Sequence, residues 1–210
     1  MQRPANVLRA ILPFLREALK VGRLNIIMKA AMNPQTILDF WFAETTRPHW
    51  FAKSAAFDGL IVERFGEVLR QAAAGELAHW RATLEGRLAE IIVLDQFSRN
   101  AYRDTPQSFA QDGMALVLAQ EAVEQPDFEQ MPAERRKFML MPYMHSESAE
   151  IHAQAIPLFV ALDDAYTLDF EIRHQAIVDR FGRYPHRNGI LGRKSSAEEA
   201  EFLQQEGSSF

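Results

Sequence analysis

Apolar residues recur through most of this chain at intervals of three and four, the period of a helix with one face turned to a core. Alternating strand patterns are scarce. Ile37, Leu38, Trp41 and Phe42 mark a short helix over residues 34–43, with Asn33 as its cap and Pro34 in its first turn. A turn follows through Thr45–Pro48. Ser54 then caps a helix that carries Phe57, Ile61, Phe65, Val68 and Leu69 and ends at Gly75. The next helix starts at Thr83, runs to about residue 100 and buries Leu84, Leu88, Ile91 and Ile92. Asp112 is read as the cap of a helix holding Met114, Leu118 and Val123. Residues 133–141 form a helix stopped by Pro142. Ser146 is read as capping a helix over 147–163, kinked at Pro157. A further helix spans 168–181, residues 182–192 read as loop, and Ser196 with Glu199 has the capping-box spacing for a last helix.

The pattern therefore predicts an all-α domain over residues 32–210, with seven to eight helices joined by short loops. Helix pairs of this length can stack as a superhelical array or close as a bundle. Residues 1–31 are an N-terminal extension of different character. They hold six basic residues and one acid, so the overall charge of −5 divides into +5 here and −10 in the rest. With Leu8, Ile11, Leu12, Leu15 and Leu19 between the charges, the extension reads as a basic amphipathic helix interrupted at Pro13 and Gly22. It suits a membrane-surface or partner helix, a transit-like segment (though one without serine), or an upstream stretch preceding a true start at Met32.

Composition narrows the chemistry. The chain has no cysteine, which excludes disulfides, zinc–thiolate sites and a cysteine nucleophile, and fits a reducing, cytoplasmic location. No apolar run reaches the roughly 18 residues that span a bilayer. An isoelectric point near 5.7 speaks against nucleic acid as a partner.

Four places carry candidate chemistry. On the helix from Thr83, the leucine stripe continues into Asp95 and Arg99 at i,i+4 spacing, with Asn100 and Arg103 on an adjacent stripe. These residues are either an internal ion pair or a polar wall at the end of a cleft. His145 and Glu147 follow Pro142 and are placed at a helix N-terminus, where anions are favoured; simple capping is the alternative. His174 points inward and reads as a core histidine. The run 180–194 holds four arginines, Arg180, Arg183, Arg187 and Arg193, together with Lys194, His186 and Asn188, and no acid. Guanidinium forks match carboxylates and phosphates; equally, these arginines can pair with acids elsewhere as structural glue. Phe181 and Tyr184 could stack a base. No cofactor motif is present. Two Glu-x-x-His pairs, at Glu171/His174 and Glu76/His79, resemble di-iron ligand spacing, but Glu76 follows Gly75 and falls outside a helix, so no metal is expected.

Several of these segments also carry a family resemblance. Asp39–Phe42, Trp50-Phe51, Leu94–Asn100, His145-Ser146-Glu147, Phe181–Asn188 and Leu191-Gly192-Arg193 resemble the mainly bacterial family called domain of unknown function nine-two-four, over about residues 33–206. The resemblance implies a tetratricopeptide-like array of antiparallel helices and carries over no activity. Ser148 stands where the family commonly has an acid. Two functions remain open on the residues. The first is a small helical protein that binds an anionic small molecule in a pocket lined by arginine, histidine and asparagine, with His145 or His186 as an acid–base group. The second is a module for a protein or peptide partner, with the arginines structural.

Overall fold

A computed structural model describes residues 32–208. The amphipathic helix expected in the extension lies outside the described residues. Among the described residues every regular element is helical. The helices are α1 (Pro34–Trp41), α2 (Ala55–Ala73), α3 (Leu84–Ile91, continuing through Ile92–Phe97 and Ser98–Ala101), α4 (Asp112–Val123), α5 (Ala133–Met144), α6 (Ala149–Val160), α7 (Ala165–Phe181) and α8 (Ala197–Phe202). None of them is long and apolar enough to cross a membrane.

Local chemistry accounts for most boundaries. Asn33, Ser54, Thr83, Asp164 and Ser196 each accept a backbone N–H at a helix start, which satisfies one of the four donors that a helix leaves open there. Ser196 and Glu199 complete the expected capping box. Gly182 closes α7 at φ +67, in the left-handed region, where its N–H bonds to Val178 O at 2.7 Å. Gly86 is required for another reason: a β-carbon there would lie 1.8 Å from the Trp80 carbonyl oxygen.

Three expected boundaries are corrected. Pro142 does not stop α5, which continues to Met144; proline removes one N–H, but the next turn still closes through His145 N to Met141 O at 3.0 Å. His145 therefore ends α5 rather than opening α6. The cap position of α6 is Ser148, whose N–H is taken by the Ser146 hydroxyl at 3.2 Å. Asp112 is the first residue of α4, and its side chain makes no cap bond because two arginines hold it.

The core gathers around α3 and α5. α1, α2, α4 and α5 pack on α3, while α4, α6 and α7 pack on α5. An aromatic cluster fills the end near α1, where the fully buried Trp41 meets Phe138 and Phe97 edge-on at 5.5 and 5.7 Å. At the other end the packing turns polar. α7 buries Thr167, Glu171 and His174 beside Ile177 and Val178, and the chain after it folds back as a loop centred on the buried Tyr184.

Candidate functional site

The middle of α3 is wound as a π-helix over Ile92–Phe97, and all six of its residues are buried. Such widened turns often occur at functional sites. This one carries Asp95, a fully buried carboxylate at the end of the leucine stripe. Asp95 receives a 2.6 Å bond from Gln96 and lies 2.6 Å from His145 Nδ1 and 3.8 Å from Arg99. Burial alone would raise its carboxyl; His145, then Arg99 and Gln96, outweigh that and hold it below the ordinary carboxylate range. Asp95 and Arg99, read from the sequence as either an internal ion pair or a polar wall, lie within ion-pair distance, and the contact extends to a histidine from α5.

Three consecutive carbonyls at the end of α5 are each taken by a side chain from elsewhere. Tyr184 donates its hydroxyl to Met144 O at 2.6 Å, Arg187 donates to His145 O at 3.0 Å, and His152 Nε2 bonds Ser146 O at 2.9 Å. These groups satisfy carbonyls that a helix C-terminus leaves open and fix the backbone on both sides of His145. The ring of His145 is fixed in turn by Asp95.

His145 lines a cleft of about 350 Å³, with Asp112, Ser146, Glu147 and Arg187 as its polar neighbours. Phe109, Leu116 and Leu191 supply much of its apolar wall. Arg99 forks both oxygens of Asp112 at 2.8 Å and also bonds the Ser108 carbonyl. Arg187 reaches the same carboxylate at 3.2 Å. Both guanidinium groups lie on the ring of Phe109, at 4.7 and 4.6 Å from its centre. Burial, and then the neighbouring Arg99, lower the pKa of Arg187.

Beneath the cleft lies a buried polar network. His152 Nδ1 is 2.6 Å from Glu171 Oε1, and both residues are fully buried. His152 Nε2 donates its proton to Ser146 O at 2.9 Å, and the Tyr184 oxygen, whose own proton goes to Met144 O, lies 3.1 Å from the same nitrogen. One proton is then shared between His152 Nδ1 and Glu171. Burial raises the Glu171 carboxyl against the pull of His152, and Glu171 Oε2 is buried without a hydrogen-bond partner among the described residues. Burial also lowers His174 to about 3 and His186 to about 4, so both are neutral at pH 7.

The residues singled out in the sequence divide between several places. His145, Glu147 and Arg187 line the cleft, and Asp95 and Arg99 stand behind it, bonded to His145 and Asp112. Arg193 stands behind Glu147 in a two-bond pair at 2.6 and 2.8 Å, and Glu147 also accepts the Tyr184 N–H at 2.8 Å. Asn100 and Arg103 turn away, and both bond Asp58 on α2. Arg180 pairs with Glu198 and Arg183 with Glu199, fastening α8. Asn188 is buried and donates to Ser195, so neither asparagine lines the cleft. Tyr184 is wholly buried and Phe181 packs on Phe202, so neither is placed to stack a base. Asp112, Phe109 and His152 were not anticipated as site residues. Asp112 reads locally as a cap, and Phe109 and His152 have no spacing relative to a partner that a sequence would reveal. Among the described residues no group of three or more His, Cys, Asp or Glu side chains could hold a metal ion.

A family model described as bacterial protein of unknown function, DUF924, matches residues 37–207. The chain belongs to this family. A solved structure titled as a protein of unknown function, ATU0120 from Agrobacterium tumefaciens, is 36% identical with a TM-score of 0.77; the match covers 81% of this chain and 96% of that one. No curated protein matches the chain. In this DUF924 chain, the segments Leu94–Asn100, His145–Glu147 and 181–193, far apart in sequence, meet around the cleft and the network beneath it.

Proposed function

We propose that this protein binds a small anionic molecule in the cleft beside Arg187 and that His145 exchanges a proton with it. The observation that carries this reading is the Asp95–His145 pair. A buried carboxylate 2.6 Å from Nδ1 fixes the ring, and among the described residues Nε2 has no hydrogen bond while the ring lines the cleft. An imidazole oriented through one nitrogen and open at the other is the arrangement that general acid–base chemistry uses. The volume lies in the range of small-ligand sites, and apolar walls with a few convergent polar groups are typical of them. Helices that pack largely on their chain neighbours support a tetratricopeptide-like array, and a cysteine-free chain fits the cytoplasm.

The test is a thermal-shift screen of the full chain against carboxylates, phosphates, nucleotides and sugar phosphates, repeated with His145→Gln. A ligand at 100 times its dissociation constant adds roughly 2.7 kcal/mol, which raises the melting temperature of a domain this size by about 5–10 °C. The expected result is a selective rise that is weakened in His145→Gln. A rise that is the same in both proteins would remove His145 from the reading.

A further inference from the structure

The reading above leaves the class of anion open, and the charges around the cleft narrow it. Arg193 balances Glu147 through two bonds. Arg99 balances Asp112 through a two-oxygen fork. Asp95 is fully buried and directs its oxygens to His145 and Gln96. Arg187 has no carboxylate to itself, because it shares Asp112 with Arg99. It takes a longer 3.2 Å bond to an oxygen that Arg99 already holds, and one bond to a carbonyl. A guanidinium offers five N–H donors; Arg187 Nε is buried and has no partner among the described residues. Its side chain is only 8% exposed, so water does little to make up the deficit, and an unmet buried donor is costly.

We propose, on the basis of the cleft reading above, that the ligand is a compact monocarboxylic acid with an apolar body, whose carboxylate sits on Arg187 beside Asp112. Arg99, Arg187 and Arg193 face three carboxylates, those of Asp95, Asp112 and Glu147, so the cleft has no spare positive charge for a dianion and a ligand of single charge fits it better. A phosphate dianion would bring a second charge to a cleft already lined by the carboxylates of Asp112 and Glu147, and like charges at that range repel strongly where water is sparse. A flat carboxylate also matches the guanidinium edge. The remaining wall is apolar, formed by Pro106, Phe109, Ala110, Leu116, Pro142 and Leu191, and suits a hydrocarbon or aromatic body rather than a sugar.

The experiment follows the methyl resonances of Leu116 and Leu191 by NMR while the full chain is titrated, at pH 7, with benzoate, benzamide, benzylamine and inorganic phosphate. All four probes act on the unaltered protein, so no result depends on a variant folding. Benzoate should shift both methyl groups and bind about tenfold or more tightly than the neutral benzamide, the ratio expected from one charge-assisted hydrogen bond. Adding salt should weaken benzoate more than benzamide. Benzamide binding as tightly as benzoate, or phosphate or benzylamine binding more tightly, would overturn the monocarboxylate while leaving the cleft as a ligand site. If none of the probes moves either methyl group at millimolar concentration, the monocarboxylate and the cleft reading fail together.

Discussion

The arginine run 180–194 divides at Tyr184 into two halves that the same residue type serves differently. In the outer half, Arg180 and Arg183 fork Glu198 and Glu199 and hold the short helix α8 against α7. The Arg180 pair is open to solvent on both sides, with 48% and 61% of the two side chains exposed. In the inner half, Arg187 is buried between Phe109 and Tyr184 and bonds the carbonyl of His145. An exposed pair is screened and contributes little. A buried guanidinium has lost its water and depends on every partner it has. The contrast separates the two halves by burial and partner rather than by arginine content, and mutations that separate the halves will test it.

The largest effect is expected in the network that supports the inner half. His152→Leu removes the partner of the fully buried Glu171 and the donor to Ser146 O. Breaking such a pair on one side costs about 3–5 kcal/mol, a fall of roughly 10 °C in melting temperature at this chain length. Urea unfolding measures it. A loss below about 1 kcal/mol would mean that Glu171 is content as a neutral acid without its histidine. Arg187→Ala follows at about 2–4 kcal/mol, because Asp112 loses one of its two cations and the His145 carbonyl loses its donor. That cost has a practical consequence. Loss of ligand binding in Arg187→Ala cannot be separated from loss of structure, so the binding test compares probes on the unaltered chain.

The fold was legible in the sequence because caps and periodicity are local. Ser54, Thr83, Ser196 and Gly182 act within a few residues of themselves, and each does what its neighbours imply. The site was legible only in part. Asp95, His145, Glu147 and Arg187 stood out by type, but which arginine meets which acid is decided by packing between distant segments. Arg103 and Arg187 look alike in sequence; one falls on Asp58, the other on Asp112. Pro142 misled for a related reason: the cost of proline in a helix is fixed locally, but the buried packing of Met139, Leu140, Tyr143 and Met144 around it is not.

A smaller effect separates the inner region from the outer by pH. His174 is lowered to about 3 and His186 to about 4, chiefly by burial. The ordinary histidine value is about 6.5, so the unfolded chain binds more protons than the native chain between these limits. Stability is then fully present above about pH 6.5 and falls as pH drops toward about 3, with a slope approaching about 1.4 kcal/mol per pH unit for each histidine. Asp95 and Glu147, held below their ordinary values, act in the same direction at the acid end. His174→Gln should flatten the slope over pH 4–6, measured by urea midpoints. An unchanged slope would place the proton-linked loss elsewhere.

The smallest effect tests the outer half. Arg180→Ala removes an ion pair that solvent reaches from both sides, and surface changes of this kind stay within about 0.5 kcal/mol. Arg183→Ala should cost more, because Glu199 is also the capping-box acid of α8 and only 4% of its side chain is exposed. Both substitutions should leave benzoate binding at the cleft unchanged, because neither guanidinium touches a cleft residue apart from the long-range field of Arg183 on Glu147. If Arg180→Ala weakened the benzoate shift of Leu191 as much as it is weakened by salt, the run would be acting as one diffuse patch of positive charge, and the division at Tyr184 would lose its meaning.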